Sequence, residues 1–571
     1  MDYVPIIPES LASRLRWFDG FHASAELKGN PILDNLLARY SEQTGSLIVP
    51  CEWYSPSEFE QKFGIRYSKF ASDGNRDRPW VETYVMDLLN RALQKKVSDI
   101  HITYMGPYAQ VYFRRMGLLQ EDEPLNGEEG KALIRGIFQG VFSQAESGFT
   151  EFERYDGRIA DRKFLPEGLF AVRLHSEPIQ SPLISSPGIP LAMRLLYDAT
   201  SATGPVMQRL ASLGFTPEQQ NLVNSFTERS GLTIVSGPTG HGKTTVLKNT
   251  LEALAQYVPT KNYYSLEDPP EYTILGVRQL NVVTKAISDA ERERALLEAL
   301  AGLMRSDPDV ILLGEIRYLE AARAAINAAL TGHGVWSTVH ANSAIGIVAR
   351  LHEMGVPLES ICTDGVLNGL MYQRLMPILC PECKKPLHEH PAALSPDLWN
   401  RLEAVYTHGE VDNIHIRGDG CPHCDGLGLV GQQVAAEVIP AADRELIGLL
   451  RKNRLYEAQQ HWIKDMGGMT HVSHALARIA SGEVDPAIAE ERLGVTLDHD
   501  LAFSMKPEAR SRTFRRSGGP ADTFGGPHER PSNYCAFHLA GMAGQVLLRR
   551  KNPGTLLEKV GQATATHAPL P

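Results

Sequence analysis

Apolar and polar positions alternate along two short segments in the first third of the chain, SDIHITY from Ser98 and AQVYFRR from Ala109. A period of two is typical of half-buried β-strands. The two segments follow VETYVMDLLNRALQKK, which starts at Val81 and has a helix-like pattern. The pattern predicts an α+β domain over residues 78–200, followed by a linker, DATSATGP at 198–205.

Between residues 205 and 440 the pattern changes to short apolar runs separated by helical stretches. The apolar runs are LTIVS, YYSLE, DVILL and VWSTV. Strands that are apolar throughout and alternate with helices predict an α/β fold with a doubly wound parallel sheet. Residues 441–495 are predicted to form a small C-terminal helical domain.

The two ends of the chain carry less structural information. Residues 1–77 contain no motif and are predicted to be an N-terminal extension, for which docking to partners is a hypothesis. Residues 496–571 are rich in Ser, Pro, Gly and Arg, a composition that predicts a disordered tail.

Composition limits the class of protein. A chain of 571 residues, with 43% hydrophobic and 22% charged residues, is a globular protein of several domains. A net charge of -10 and a pI near 6.0 argue against a protein built to hold nucleic acid, so we expect none to be bound directly. No apolar run approaches the roughly 20 residues of a membrane span, and the N-terminus lacks a signal-peptide pattern. These features predict a cytoplasmic protein.

A glycine-rich loop, GPTGHGKT, lies between LTIVS and the helical run TTVLKNTLEAL. It fits the pattern G-x-x-x-x-G-K-S/T in the strand–loop–helix context that the pattern requires, which disfavours a chance glycine-rich turn. In such loops backbone N–H groups cradle phosphates, the lysine reaches the β- and γ-phosphates, and the hydroxyl binds Mg²⁺. The predicted nucleotide-binding residues are Gly237, Pro238, Thr239, Gly240, His241, Gly242, Lys243, Thr244 and Thr245.

Acidic residues end two of the predicted strands. Glu315 follows DVILL, and Glu267 ends YYSLE within the cluster EDPPE. The carboxyl ends of parallel strands meet at the ligand edge of a sheet, where carboxylates hold the metal's water shell or orient water. Glu315 and Glu267 are therefore candidate catalytic residues. Asp268 and Glu271 are more easily explained as structural, and solvated loop carboxylates are the alternative for all four.

Four of the seven cysteines form two C-x-x-C pairs separated by 37 residues. Four thiolates can close a tetrahedral structural Zn²⁺ site. Redox-active dithiols are the alternative, but no thioredoxin-like βαβ pattern surrounds either pair. We therefore predict a zinc subdomain at residues 378–430 whose metal ligands are Cys380, Cys383, Cys421 and Cys424.

The order of these motifs resembles that of one family. GPTGHGKT, EDPPEY, DPDVILLGEIR and TGHGVWSTVH are similar to the Walker A motif, aspartate box, atypical Walker B motif and histidine box of type II secretion and type IV pilus assembly ATPases. SDIHI, YDGRI, LGFTPEQ, YQRL and the cysteine pairs extend the resemblance over about residues 80–495. It implies a RecA-like core, ATP as the nucleotide, and hydrolysis that powers assembly of a type IV pilus or type II secretion pseudopilus.

The resemblance also implies roles for individual residues. Glu315 corresponds to the Walker B glutamate and Glu267 to an aspartate-box acid that positions water. His333 and His340, which flank VWSTV and alone would read as satisfied core or surface histidines, are implied to sense the γ-phosphate.

Two arginines of the N-terminal domain, Arg173 and Arg194, resemble arginines that reach the nucleotide in that family. A guanidinium there would neutralise charge on the transferred phosphoryl group. Surface salt bridges are the alternative explanation for both residues.

The resemblance further implies a homo-hexamer that acts on an inner-membrane platform protein. The cysteine pairs favour an assembly motor over a retraction motor. A retraction motor, a DNA-transfer motor of the same superfamily, and a nucleotide-binding structural ring with little turnover are the alternatives.

Four positions depart from the family pattern. His241 stands in place of the usual serine, Tyr318 in place of an aspartate, and Pro377 and Gln432 in place of arginines. None removes a group expected to contact the nucleotide. Tyr318 and Gln432 leave contacts at the edge of the site or the subunit boundary open, and the set suggests a divergent type IVb or conjugative thin-pilus branch.

Overall fold

The computed structural model describes residues 15–18, 20–28, 31–44, 51–55, 58, 77–138, 152–180, 187–198, 203–282 and 289–501. The predicted disorder of the tail therefore falls almost wholly outside the described residues, as does the middle of the predicted linker. No helix within these ranges combines the length and apolar character needed to cross a bilayer. The domain boundaries given above stay predictions.

A small sheet and an α-helix lie within the described part of the predicted N-terminal extension. The elements are β1 (Leu15–Phe18), β2 (Gly20–Ser24), α1 (Pro31–Thr44) and β3 (Cys51–Tyr54). Strand β2 pairs antiparallel with β1 and parallel with β3. Phe21, Leu27 and Leu33 are buried in a cluster of their own. The extension thus contains a hydrophobic core that no sequence motif indicated.

The next region is an α+β unit built on an antiparallel sheet. Its elements are α2 (Asp77–Gln94), β4 (Asp99–Tyr104), β5 (Tyr108–Arg115), β6 (Leu118–Asn126), α3 (Gly127–Gly136), β7 (Tyr155–Ile159), β8 (Leu169–Ser176) and β9 (Ile189–Tyr197). The strand order is β6-β5-β4-β9-β8-β7. Every second residue of β5 is buried, because successive side chains point to opposite faces. One face packs on the helices, and the other carries Arg173 and Arg194.

The largest sheet has helices on both faces. Its elements are α4 (Val206–Leu213), α5 (Pro217–Thr227), β10 (Gly231–Ser236), α6 (Lys243–Tyr257), β11 (Tyr263–Glu267), β12 (Arg278–Asn281), α7 (Asp289–Leu303), β13 (Val310–Glu315), α8 (Leu319–Leu330), β14 (Gly334–Val339), α9 (Gly346–Glu353), α10 (Leu358–Ile361) and β15 (Leu367–Leu379). Strand β10 is buried throughout. Its side chains contribute to one apolar cluster on each side of the sheet, as a doubly wound fold requires.

The remaining elements extend this sheet and cover its end. They are β16 (Lys385–Pro386), α11 (Pro396–Val405), α12 (His408–Val411), β17 (His415–Ile416), β18 (Leu429–Pro440), α13 (Arg444–Arg451), α14 (Leu455–Lys464), α15 (His471–Ala480) and α16 (Pro486–Leu493). The sheet order is β12-β11-β13-β14-β10-β15-β18. The predicted mixed α/β architecture with a parallel sheet is confirmed. The antiparallel pairing of β15 with β18 was not predicted.

The segment LGFTPEQ explains how α4 is followed by α5. Gly214 adopts a left-handed conformation, with φ of 95°, and ends α4. Thr216 and Gln219 then form a capping box that starts α5. The Gln219 amide also donates to the carbonyl of Ala436 at 2.7 Å, which fixes α5 against β18.

A buried ionic cluster joins α4 to α6. Arg209 Nη1 lies 2.9 Å and Lys248 Nζ 3.3 Å from the same Glu252 oxygen, and the three side chains are at most 5% exposed. The other Glu252 oxygen accepts the N–H of Leu275 at 3.1 Å. This single carboxylate therefore holds two helices and the segment that precedes β12.

Glu252→Ala is expected to lower the free energy of unfolding by about 3 kcal/mol, because two buried cations would lose their counter-charge. The measurement is denaturant-induced unfolding of the full chain. Glu298→Ala is the matched control, since Glu298 pairs with Arg294 on the surface and is 69% exposed. An exposed pair contributes about 0.5 kcal/mol. Equal effects of the two substitutions would contradict a stabilising role of the buried cluster.

Candidate functional site

The predicted phosphate loop connects β10 to α6 at the carboxyl edge of the sheet. Gly237, Gly240 and Gly242 adopt positive φ angles of 145°, 80° and 77°, which glycine reaches without steric cost. At Gly237 a side chain is excluded a second time, because a Cβ atom would lie 2.4 Å from the carbonyl oxygen of Gln373. The loop ends where α6 begins, so the positive end of that helix faces the loop.

Lys243 and Thr244 occupy the first turn of α6. The Lys243 ammonium donates to the carbonyls of Gly237 and Pro238, at 2.8 and 3.0 Å. Burial lowers the pKa of Lys243, and the negative charges of Glu315 and Glu271 oppose that shift. The Thr244 hydroxyl donates to Glu271 at 3.2 Å. The lysine, the hydroxyl and two carboxylates therefore belong to one site.

The other predicted residues of the loop differ in exposure. Pro238 is half-buried, and Thr239 and Gly240 are exposed at the tip. The half-buried Thr245 side chain bonds to Tyr272, whose pKa burial raises to about 12. Thr245 thus fixes the segment that follows β11 against the start of α6.

The two candidate catalytic acids end adjacent parallel strands, β11 and β13. Glu267 is 7% exposed and accepts hydrogen bonds from Ser265 at 2.7 Å and Gln279 at 3.1 Å. Burial raises its pKa. Glu315 is more accessible, and its oxygens lie 2.7 Å from Arg317 Nη2 and 3.2 Å from His340 Nε2. Both acids lie at the edge predicted for them, and Glu315 is the one that solvent can reach.

The two histidines of the histidine box lie at opposite ends of β14. His340 follows the strand and contacts Glu315. His333 precedes the strand, and its Nδ1 lies 2.9 Å from the Ala328 carbonyl oxygen and 3.0 Å from the Thr331 hydroxyl. Six strand residues separate the two histidines, which is roughly 20 Å at strand spacing. The structure therefore does not bring His333 to the phosphate loop of its own chain, contrary to the expectation.

The N-terminal domain contacts the site through arginines on its exposed sheet face. Arg173 Nη1 lies 3.3 Å from Glu271, the carboxylate that also accepts from Thr244. Arg194 pairs with Asp99 at 2.9 Å. It also lies close enough to Tyr272 to oppose the rise in the pKa of that phenol. Arg173 touches the site directly, whereas Arg194 lies at its margin.

Two contributors to the site were not assigned from the sequence. Arg158, in YDGRI, donates to the carbonyl of Pro270 at 3.2 Å. Glu271, which the sequence favoured as structural, links Thr244 to Arg173. The motif YDGRI is part of the family resemblance, so it could have indicated a role for Arg158.

His241 connects the phosphate loop to β15. Its Nδ1 accepts the N–H of Leu375 at 2.9 Å, and its carbonyl oxygen accepts from Gln373 Nε2 at 2.6 Å. Burial, followed by the charges of Arg374, Arg492 and Lys243, lowers its pKa to about 4. The imidazole is therefore neutral at physiological pH and carries its proton on Nε2.

The four paired cysteines meet beyond the end of β15. Their sulfur atoms all lie within 4.8 Å of one another. Cys380 Sγ is 3.7 Å from Cys421 Sγ, and Cys383 Sγ is 3.8 Å from Cys424 Sγ. Four sulfurs bound tetrahedrally at about 2.3 Å from a zinc ion would lie roughly 3.8 Å apart. The sulfur spacing therefore fits a zinc ion.

Backbone donors support the thiolate form of one of these cysteines. The N–H groups of Cys421 and Gly428 point at Cys424 Sγ, at 3.2 and 3.0 Å. Burial alone would raise the pKa of Cys424, but these hydrogen bonds, together with those from the Cys421 and Cys383 side chains, lower it to about 6. Donation of this kind stabilises the charge that a metal ligand requires.

Two of the departures from the family pattern face each other. Pro377 of β15 lies opposite Gln432 of β18 in the antiparallel pairing of these strands. The two arginines usual in the family are therefore both replaced at the same pair of facing positions. Tyr318 is the residue before α8, where its side chain does not cap the helix.

Comparison with known proteins extends these observations. A family model described as "Type II/IV secretion system protein" matches residues 75–491. The chain is 31% identical over 399 residues to "Putative type II secretion system protein E" of Escherichia coli K12, covering 69% of this chain and 73% of that protein. It is 30% identical over 366 residues to "Type II secretion system ATPase E" of Vibrio cholerae, covering 63% and 65%.

Comparison with a solved structure supports the fold, and nothing beyond the fold. The ATPase DotB of Legionella pneumophila superimposes with a TM-score of 0.51 at 17% sequence identity, covering 72% of this chain and 96% of DotB. The mixed α/β architecture is thus shared at low sequence similarity.

Proposed function

The chain belongs to the type II/IV secretion system protein family, as its motifs predicted, and from this premise we propose that it is an ATP-hydrolysing motor that powers assembly of a type IV pilus or type II secretion pseudopilus. The observation that supports this most is the meeting of Lys243, Thr244 and Glu315 at one edge of the sheet. Phosphoryl transfer to water is catalysed by positioning and charge neutralisation, and these side chains can supply both.

ATP and Mg²⁺ are the proposed cofactors. The Thr244 hydroxyl and the Glu271 carboxylate offer the oxygen donors that Mg²⁺ prefers. When bound, the ion neutralises charge on the β- and γ-phosphates. Lys243 exchanges the loop carbonyls for phosphate oxygens, and the backbone N–H groups of Gly237–Thr245 cradle the phosphates.

Glu315 is proposed to orient the attacking water and accept its proton. His340, at 3.2 Å, holds that carboxylate at the edge of the site. Glu267 is buried at the end of the neighbouring strand, and its proposed role is to help position that water. Arg173 is proposed to leave Glu271 and approach the phosphates, and Arg194 to close over the same region. Both guanidinium groups would offset the negative charge of the phosphoryl group in the transition state.

His333 requires a different role from the one expected. It lies at the far end of β14 from the phosphate loop, so any contact it makes with nucleotide involves another subunit. Otherwise it stabilises the turn before β14 through Thr331 and Ala328.

The finer architecture is also a proposal. We assign residues 205–440 to a RecA-like core, preceded by the α+β domain at 78–200 and followed by helices at 441–495. Residues 378–430 form its zinc subdomain, where Cys380, Cys383, Cys421 and Cys424 hold Zn²⁺. Zinc held there would link the two C-x-x-C pairs at the end of the paired strands β15 and β18 and would take no part in hydrolysis.

The proposed assembly is a homo-hexamer at the cytoplasmic face of the inner membrane, coupled to a platform protein there. Membership of the family supports this assembly. The cysteine pairs favour assembly of the filament over its retraction.

Glu315→Gln is the experiment that tests the motor. We expect kcat for phosphate release from Mg-ATP to fall about 100-fold, because the amide cannot accept a proton, while ATP binding persists. Purified full-length protein is assayed, and its mass is recorded by light scattering. Glu320→Gln is the matched control, because Glu320 lies in the first turn of α8 on the surface and pairs only with Arg323 among the described contacts.

Turnover by the parent and by Glu320→Gln, but not by Glu315→Gln, supports the motor. Negligible and equal turnover in all three, from a folded ring that binds ATP, would instead favour the nucleotide-binding structural ring. Mass near that of six subunits supports the hexamer separately from the chemistry.

A further inference from the structure

The phosphate loop makes side-chain contacts with β15 just beyond the point where β10 stops pairing with that strand. The ladder between the two strands ends with Ser236 opposite Tyr372. Beyond this point the phosphate loop, rather than β10, lies beside β15. Gln373 and Leu375 each hydrogen-bond to His241. We call these two hydrogen bonds the His241 clasp.

One of the two bonds, from the Leu375 N–H to Nδ1, depends on a side chain that can reach β15, whereas the other uses the backbone carbonyl oxygen of residue 241. A serine at this position, as in the family pattern, carries its oxygen closer to the backbone than the Nδ1 atom of histidine. The neutral imidazole presents Nδ1 as an acceptor in plane with the ring. Burial, followed by the positive charges of Arg374, Arg492 and Lys243, lowers the pKa of the imidazole and disfavours its protonation. The site is therefore suited to a neutral acceptor at the position of Nδ1.

The Gln373 side chain makes the second bond of the clasp. It is 1% exposed, and within the described part of the chain its Oε1 atom has no hydrogen-bond partner. A buried acceptor without a partner costs free energy. The bond from Nε2 to the His241 carbonyl oxygen is the described contact that this amide makes. The side chain thus serves the loop rather than the packing of the strand.

We propose that His241 is a positioning residue for ATP binding, in which Nδ1 holds the phosphate loop against β15. The proposal rests on the proposed function of the loop. A loop held in place presents its N–H groups to phosphate without first losing conformational entropy. The clasp therefore acts on nucleotide affinity, and the chemical step, which Glu315 and Lys243 govern, depends on it less.

Replacing His241 by asparagine or by glutamine tests whether the position of the acceptor atom matters, since both amides carry an acceptor oxygen but at different distances from the backbone. The Oδ1 atom of asparagine is as many bonds from the backbone as Nδ1, whereas the Oε1 atom of glutamine lies one bond further. We expect His241→Gln to raise KM for ATP about tenfold, the equivalent of one lost hydrogen bond. His241→Asn is expected to stay within about threefold of the parent in KM, and kcat is expected to change less than threefold in both.

The measurements are phosphate release at varied Mg-ATP and equilibrium binding of a fluorescent ATP analogue, both on the full chain. Gln373→Leu is a second variant that leaves the loop sequence intact, and it should raise KM in the same direction. Thermal unfolding followed by circular dichroism identifies any variant that fails to fold.

Equal KM for ATP in the parent, His241→Asn and His241→Gln proteins would overturn the clasp. So would a rise in KM that is as large for His241→Asn as for His241→Gln. A larger loss in kcat than in KM would also overturn it. If the parent releases no phosphate, the motor proposal fails, but the order of analogue affinities still decides the clasp. Tighter binding by Asn than by Gln supports it, and equal binding refutes it.

Discussion

Lys243→Ala is expected to lower kcat/KM for ATP hydrolysis by about a thousandfold. The ammonium now binds two carbonyls of its own loop, at 2.8 and 3.0 Å, so it is already aimed at the place where phosphate oxygens would lie. Its loss removes a positive charge from a half-buried site, where an electrostatic contact to the transition state is worth about 10²–10³ in rate. Weakened ATP binding adds to this loss.

The measurement is phosphate release at varied Mg-ATP by the purified full chain. Lys261→Ala is the control, because Lys261 is an exposed lysine in the connection between α6 and β11, and its removal should leave kcat/KM unchanged. A Lys243→Ala protein that keeps its activity within tenfold of the parent would show that hydrolysis does not use this loop.

Cys424→Ser has the second-largest expected effect. It removes one of four sulfurs that lie within 4.8 Å of one another, together with the acceptor of two backbone N–H groups. We expect the bound zinc to fall from about one ion per chain to none. The unfolding free energy of residues 378–430 should fall by about 5 kcal/mol, roughly half of the metal-binding free energy of small zinc domains.

Metal content is measured by atomic absorption, and the stability of the segment by limited proteolysis. Cys362→Ser provides the control, since Cys362 is buried like Cys424 but lies outside the cluster. It should retain zinc. A parent protein that contains no metal and forms disulfides between the paired cysteines would support the redox alternative instead.

The sequence predicted those parts of the site that neighbouring residues determine. The phosphate loop, its helix, and the acids at the ends of YYSLE and DVILL all lie where the pattern placed them. Each of these depends on a strand followed directly by a turn, so local sequence is sufficient. The capping box at Thr216 is likewise determined by neighbouring residues, although it was not predicted.

The sequence was less informative where distant segments meet. Glu271 was favoured as structural, because its bridge from Thr244 to Arg173 forms only when the two domains contact each other. The pairing of β15 with β18 joins strands separated by the whole cysteine segment. His333 is a different case. The family motif treats it and His340 as one unit, but a full strand between them separates the two side chains across the sheet.

The strand β12 has a consequence for how this protein behaves in a crowded cell. It ends the large sheet on one side, with β11 as its neighbour in the described part of the chain. It spans only four residues. Its first residue is Arg278, and its last is an exposed asparagine. Short, charged strands offer few free amides to a passing chain and so resist edge-to-edge aggregation. Copies of the chain therefore have little means of associating by extending this sheet at β12, and ordered self-assembly is left to their other surfaces.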